Sequence, residues 1–167
     1  HGTKLKIKSV AGRGSTFSFT ITYELSAQLH QSKEPLKQVK NEPIADLRVL
    51  CVDDEKLNLM IVRRILARWG ITPDEAENGK EAVDLCMTKS YDLILMDINM
   101  PIIDGYETTK EIRNLGISIP IIALTAYDKE EVAQQGFKVG LDDIVVKPFH
   151  QAELFEKIFK HLHKNQK

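Results

Sequence analysis

The chain has 167 residues, a mass of 19.0 kDa and a formal net charge of −1, from 23 Lys+Arg against 24 Asp+Glu. Hydrophobic residues make up 43% and charged residues 28%, ordinary globular usage that excludes disorder of the whole chain and disfavours a strongly basic nucleic-acid binder. The length suits about one domain with a smaller piece beside it, and the charge divides the same way: residues 1–46 carry net +3 and residues 47–167 net −4.

In chain order, residues 1–25 read as two short strands. Leu5 and Ile7 alternate with lysines, and Phe17, Phe19, Ile21 and Tyr23 alternate with Ser and Thr. A period of two marks strands with one apolar face. Ala11 to Ser15 supplies the turn. Residues 26–45 have linker composition. The pattern changes at Leu47, where a short apolar strand runs to Val52 and ends in Asp53-Asp54. A helix follows with Leu57, Met60, Ile61 and Ile65 on one apolar face. Thr72–Ala76 is a weak strand, and Asn78-Gly79 joins it to a helix over Lys80–Lys89. Leu93–Met96 is apolar on both faces and ends in Asp97. A helix covers Gly105–Asn114, a strand Ile119–Leu124 ends in Thr125, and a helix covers Lys129–Lys138. A fifth strand, Ile144–Val146, ends in Lys147-Pro148. The last helix places Phe155, Ile158, Phe159 and Leu162 on one stripe.

Five strands, most of them continuously apolar, joined by helices predict an α/β fold: a doubly wound, five-stranded parallel sheet of flavodoxin-like order 2-1-3-4-5, with the first two strands as a separate hairpin. Such sheets bind ligands beyond the carboxyl ends of their strands. Asp53, Asp54, Asp97, Thr125 and Lys147 all fall there. Clustered carboxylates raise one another's proton affinity, and a hard divalent cation relieves the repulsion. Mg2+ suits a few carboxylates with waters and phosphate oxygens. The Lys147 ammonium and Thr125 hydroxyl would then meet a phosphoryl group, with Asp97 as the nucleophile that forms an acyl phosphate. Taken singly, each of these residues has a plainer role as a cap, a turn residue or a surface charge. Their joint placement at four strand ends carries the reading.

Four stretches resemble a response-regulator receiver domain of two-component signalling: Val49–Glu55, Leu95–Gly105, Ala123–Ala126 and Val146–Phe149. They span nearly all of residues 46–167. The resemblance implies Asp97 as the phosphoacceptor. It implies Mg2+ held by Asp53, Asp54, Asp97 and the backbone carbonyl of Asn99, and phosphoryl contacts from Thr125 and Lys147. It also implies a cis Lys147-Pro148 bond. Many receivers carry an aromatic residue three positions before the lysine; here that position is Ile144, so the usual aromatic partner of Thr125 is missing. His1–Ile7 followed by Gly12–Phe19 resembles the last strands of a histidine-kinase ATP-binding domain. The expected organisation is therefore a kinase-domain remnant (1–25), a linker (26–45) and a receiver (46–167), cut from a hybrid sensor histidine kinase. This fragment lacks the kinase catalytic residues, so the chemistry expected of it is its own aspartyl phosphorylation and dephosphorylation.

The expected partners are the phosphohistidine domain of a kinase, a histidine phosphotransfer protein, and a second copy of this chain through residues 1–25. Nucleic acid is not expected. Cys51 and Cys86 lack metal-ligand spacing and read as buried free thiols of a reducing cytoplasm. No apolar run reaches the roughly 20 residues of a membrane span. Three rivals compete with the phosphoacceptor reading. A pseudo-receiver that only binds partners would not need the full acidic, Thr and Lys set. A haloacid-dehalogenase-type phosphatase expects an Asp two residues after its nucleophile, where this chain has Asn99. A flavin carrier would meet Asp53-Asp54-Glu55 where it needs a phosphate loop.

Overall fold

The computed structural model describes residues 6–10, 14–18 and 46–162. The chain divides into two compact units, His1–Lys40 and Asn41–Lys167. In the first unit, β1 (Lys6–Val10) pairs antiparallel with β2 (Gly14–Ser18), placing Ile7 opposite Phe17. Gly14 has φ +91°, a left-handed conformation that glycine adopts without steric cost. Ile7, Val10 and Phe17 are each more than half exposed. The rest of the second expected strand, Phe19, Ile21 and Tyr23, and the expected linker, residues 26–45, lie outside the described residues.

The second unit alternates strands and helices: β3 (Val49–Val52), α1 (Lys56–Ala67), β4 (Asp74–Ala76), α2 (Gly79–Thr88), β5 (Leu93–Asp97), α3 (Gly105–Asn114), β6 (Ile121–Thr125), α4 (Lys129–Val139), β7 (Asp143–Val146) and α5 (Gln151–Leu162). The sheet is wholly parallel with order β4-β3-β5-β6-β7, which is the expected 2-1-3-4-5. Strand parity decides what each side chain meets. Leu50, Val52, Ile94, Met96, Ile121, Ala123 and Ile144 join a core with residues of α2, α3 and α4. Val49, Cys51, Leu93, Leu95, Ile122, Leu124 and Val145 join a second core with residues of α1 and α5. The strands are apolar on both faces because both faces are covered.

One expectation is corrected. The apolar stripe assigned to α1, Leu57, Met60, Ile61 and Ile65, is not its buried face. Leu57, Met60 and Ile61 are exposed, Ile65 is half-buried, and Leu59, Val62 and Leu66 face the core. Both sets satisfy the i, i+3, i+4 rule, so spacing alone did not choose between them. The observed roll buries Leu59, Val62 and Leu66 and lets Asn58 Nδ2 donate to Asp53 Oδ1 at 3.0 Å. In α5 the core-facing residues are Leu154, Ile158 and His161, while Phe155 packs edge-on against Trp69 and stacks on Phe159. Asn78 caps α2 by accepting from the Glu81 N–H, as the strand-to-helix reading of Asn78-Gly79 requires. Cys51 and Cys86 are free and buried, and burial pushes the Cys86 thiol up to about 11, so it stays protonated.

Candidate functional site

Three consecutive strands of the sheet, β3, β5 and β6, deliver polar groups to one edge. Asp53 follows β3 and is 3% exposed; Asp97 closes β5 and is 5% exposed. Asp54 lies farther toward solvent. One carboxylate oxygen from each of the three falls within 4.8 Å of the others. Thr125 ends β6 and is fully buried. Lys147 follows β7, held by its backbone N–H donating to the Thr125 carbonyl at 2.6 Å, and its bond to Pro148 is cis. The structure therefore brings the side chains of Asp53, Asp54, Asp97 and Lys147 together, and Thr125 is tied to Lys147 through the backbone.

Lys147 is the counter-charge. Its Nζ donates to Asp53 Oδ2 at 2.7 Å and lies 3.1 Å from Asp97 Oδ1. Asp53 Oδ1 also accepts from the Glu55 N–H at 2.9 Å and from Asn58. Burial pushes the Asp97 carboxyl above its ordinary range and nearby Asp53 adds to the effect; Lys147 and the N–H of Asn99 oppose it without cancelling it. Burial alone would lower Lys147, but its bonds to Asp53 and Asp97 override this and hold its ammonium above the ordinary lysine range. Even with one lysine among them, three carboxylates leave excess negative charge in a water-poor cleft. This all-oxygen donor set fits a hard divalent cation.

Close packing places Asp97. Gly105 opens α3, its N–H donates to the Ile98 carbonyl at 3.0 Å, and a Cβ there would lie 2.3 Å from the Asp97 carbonyl oxygen. Asp104 caps the same helix by accepting from Glu107 N–H. Thus Asp104-Gly105, a turn when read alone, fixes the end of β5. Asn99 is exposed, and its side-chain oxygen accepts from Tyr127 Oη at 3.3 Å. Thr125 Oγ1 accepts from the Tyr127 N–H at 3.0 Å. Ile144 is buried in β7 among core residues. Sequence reasoning missed Asn58 and Tyr127. Their one available signal was proximity to Asp53 and Thr125 along the chain.

The model of the response regulator receiver domain family matches residues 49–159. The chain belongs to this family. It is 33% identical over 144 residues to the sensor protein EvgS of Escherichia coli K12, a match that covers 86% of this chain and 12% of EvgS. The chain thus spans about an eighth of that relative. The receiver domain of sensor histidine kinase PA1611 from Pseudomonas aeruginosa superposes with a TM-score of 0.65 at 33% identity, covering 70% of this chain and 98% of that one; its structure has a magnesium ion coordinated in the active site cleft. The response regulator TrrA from Thermotoga maritima, solved with Mg2+–BeF, superposes with a TM-score of 0.64 at 39% identity over 70% and 99% of the two chains. The flavodoxin-like receiver fold and two-component membership stand as expected. Among the described residues, no helix is long and apolar enough to cross a membrane.

Proposed function

We propose that this receiver takes a phosphoryl group from a phosphohistidine onto Asp97 and passes it to a histidine of a phosphotransfer protein or loses it to water. The observation that carries the reading is the placement of Lys147 Nζ between two buried carboxylates, 2.7 Å from Asp53 and 3.1 Å from Asp97. In this reading an Asp97 oxygen bonds to phosphorus as the phosphorus–imidazole bond breaks and its electron pair returns to the histidine nitrogen. Burial raises Asp97's proton affinity and with it the strength of its carboxylate as a nucleophile, while Lys147 opposes the shift and favours the ionised form. The Lys147 ammonium faces the charge that develops on the phosphoryl oxygens, and the Thr125 hydroxyl turns from the Tyr127 N–H to donate to one of them. Asp53, Asp54, Asp97 and the Asn99 backbone carbonyl would hold Mg2+, which when bound neutralises charge on the phosphoryl oxygens.

The wider organisation belongs to the same proposal. Residues 1–25 are the end of a histidine-kinase ATP-binding domain, 26–45 a linker and 46–167 the receiver of a cytoplasmic hybrid-kinase segment. The similarity to EvgS and to the PA1611 receiver supports it. The exposed Ile7 and Phe17 support pairing of the hairpin with a second copy.

The test is labelling with acetyl phosphate and Mg2+. Asp97→Asn abolishes incorporation, and Asp54→Ala weakens Mg2+ binding by removing a ligand charge. Label persisting undiminished in Asp97→Asn overturns the assignment, and failure of the wild type to bind beryllofluoride with Mg2+ returns the pseudo-receiver reading.

A further inference from the structure

Asp53 is held at both of its carboxylate oxygens. Oδ1 accepts from the Glu55 N–H at 2.9 Å and from Asn58 Nδ2 at 3.0 Å, and Oδ2 accepts from Lys147 Nζ at 2.7 Å. A carboxylate oxygen offers two lone-pair directions, so Oδ1 is filled and Oδ2 keeps one open. Asn58 stands in the first turn of α1, where its own N–H donates to the Glu55 carbonyl at 2.9 Å. The next residue, Leu59, is buried in the core and anchors that turn. The Asn58 side chain is half-buried and reaches back to a carboxylate only 3% exposed. Lys147 is shared with Asp97 at 3.1 Å, and the Glu55 donor is backbone. The Asn58 amide differs from both: it occupies an Asp53 oxygen without bringing charge.

We infer that Asn58 is a positioning residue that makes this carboxylate pocket prefer Mg2+ to Ca2+, by limiting Asp53 to a single available oxygen. The inference rests on the reading of Asp53, Asp54 and Asp97 as the Mg2+ site. Mg2+ is small and takes one or two carboxylates with several waters in a strict octahedron. Ca2+ takes about six to eight oxygens in looser geometry and accepts carboxylates through both oxygens. Selectivity between the two ions therefore turns on how many oxygens the pocket offers and how freely they move. With Asn58 in place, Asp53 presents Oδ2 alone and in a fixed orientation. Without it, Oδ1 keeps only the Glu55 N–H, and the carboxylate is free to turn and present both oxygens. The pocket then loses a fixed ligand that suits Mg2+ and gains an adaptable one that suits Ca2+. Asn58 is neutral, so its replacement by another neutral residue leaves the charge of the pocket unchanged, and a shift in preference reports ligand freedom.

The experiment titrates the full chain with MgCl2 and, separately, with CaCl2 at constant ionic strength, by calorimetry, in wild type, Asn58→Ala and Asn58→Leu. Asn58→Leu keeps the size of the side chain and removes the donor. Urea midpoints without metal confirm which variants fold, and either one suffices. Wild type binds Mg2+ more tightly than Ca2+. In each variant the Kd for Mg2+ rises by about 10-fold or more, the size expected when a hydrogen-bond partner of a ligating carboxylate is lost, while the Kd for Ca2+ does not rise. Equal weakening of both ions overturns the inference, because Asn58 then serves affinity alone. A wild-type preference in either folded variant also overturns it. Acetyl phosphate labelling of wild-type Asp97 is measured alongside: absence of label with the Mg2+ preference intact removes the phosphoacceptor reading and leaves the role of Asn58, and absence of Mg2+ binding by wild type removes both.

Discussion

Gly105→Ala tests whether α3 positions Asp97 through backbone contact. A Cβ at 105 would lie 2.3 Å from the Asp97 carbonyl oxygen, 2.8 Å from Ile98 Cα and 3.1 Å from the Asp97 carbonyl carbon. Ordinary non-bonded contact between carbons is about 3.5–4.0 Å, so roughly 1 Å must open between the start of α3 and the end of β5. All three atoms are backbone, and no rotamer change relieves them. Overpacking of this kind costs about 1–3 kcal/mol. Alanine's advantage over glycine inside a helix is at most about 1 kcal/mol, and Gly105 is the first residue of α3. The clash therefore wins, with a net loss of roughly 1–3 kcal/mol. It moves Asp97 as well, and a misplacement near 1 Å costs up to about 100-fold in rate. Gly136→Ala is the control: its new Cβ would approach Leu141 Cδ1 at 2.6 Å, the free end of a side chain that can turn aside. That variant stays within about 1 kcal/mol of wild type. Urea unfolding and initial rates of acetyl phosphate labelling read both effects. Gly105→Ala matching wild type in midpoint and rate refutes the reasoning, as does equal damage from the two substitutions.

Ile102, a β-branched residue at φ +73° and 98% exposed, pays for its left-handed backbone without burying its side chain. Ile102→Gly therefore raises stability by about 0.5–1 kcal/mol, and Ile102→Ala stays within about 0.5 kcal/mol of wild type; thermal midpoints decide, and a lower midpoint for the glycine variant contradicts the strain argument. Burial alone would raise Asp143, but hydrogen bonds from Lys157, Lys160, His161 and the Ile144 N–H hold its carboxyl far below the ordinary range. A depressed carboxyl stabilises above its unfolded value and loses that contribution as pH falls through the folded one. Asp143→Asn thus lowers stability by about 1–3 kcal/mol at neutral pH, and the gap to wild type in urea midpoint narrows only below about pH 4. Under the proposed pairing, deleting residues 1–40 lowers the solution mass to that of a monomer by sedimentation; monomeric mass for both chains at high concentration rejects pairing through the hairpin.

Much of this fold was legible because its strands are buried on both sides. A run such as Leu93-Ile94-Leu95-Met96 leaves few choices other than a central parallel strand, and four such runs with one weak strand, in alternation with helices, leave few topologies. What was not legible was the roll of α1. Its sequence carries two apolar stripes, and of the one read as core, Leu57, Met60 and Ile61 are left outside and only Ile65 is half-buried against the core. One contact compatible only with the observed roll, Asn58 to Asp53, joins a polar residue to the site across the turn that starts the helix. A hydrophobic-periodicity argument assigns no weight to that residue. The Asp143 cluster escaped for the same reason: Lys157, Lys160 and His161 read as the polar flank of α5 until the strand beneath them supplies a buried carboxylate.

The site was legible in its membership and illegible in its balance. Strand ends announce Asp53, Asp97, Thr125 and Lys147 because a parallel sheet delivers all its carboxyl termini to one edge. The sequence does not say how much water reaches them. A carboxylate at the same strand end with solvent around it would keep an ordinary proton affinity, and Lys147 would be a weak surface partner. Burial of Asp53 and Asp97 reverses both conclusions. It raises the cost of ionising Asp97, makes Lys147 hold both carboxylates at once, and leaves a negative excess that a divalent cation and a phosphoryl group can share. The backbone of Asp97 is in turn packed against the start of α3 at Gly105, a residue with no charge to contribute. The placement of Asp97 thus involves a glycine eight positions along the chain as well as the lysine beside it.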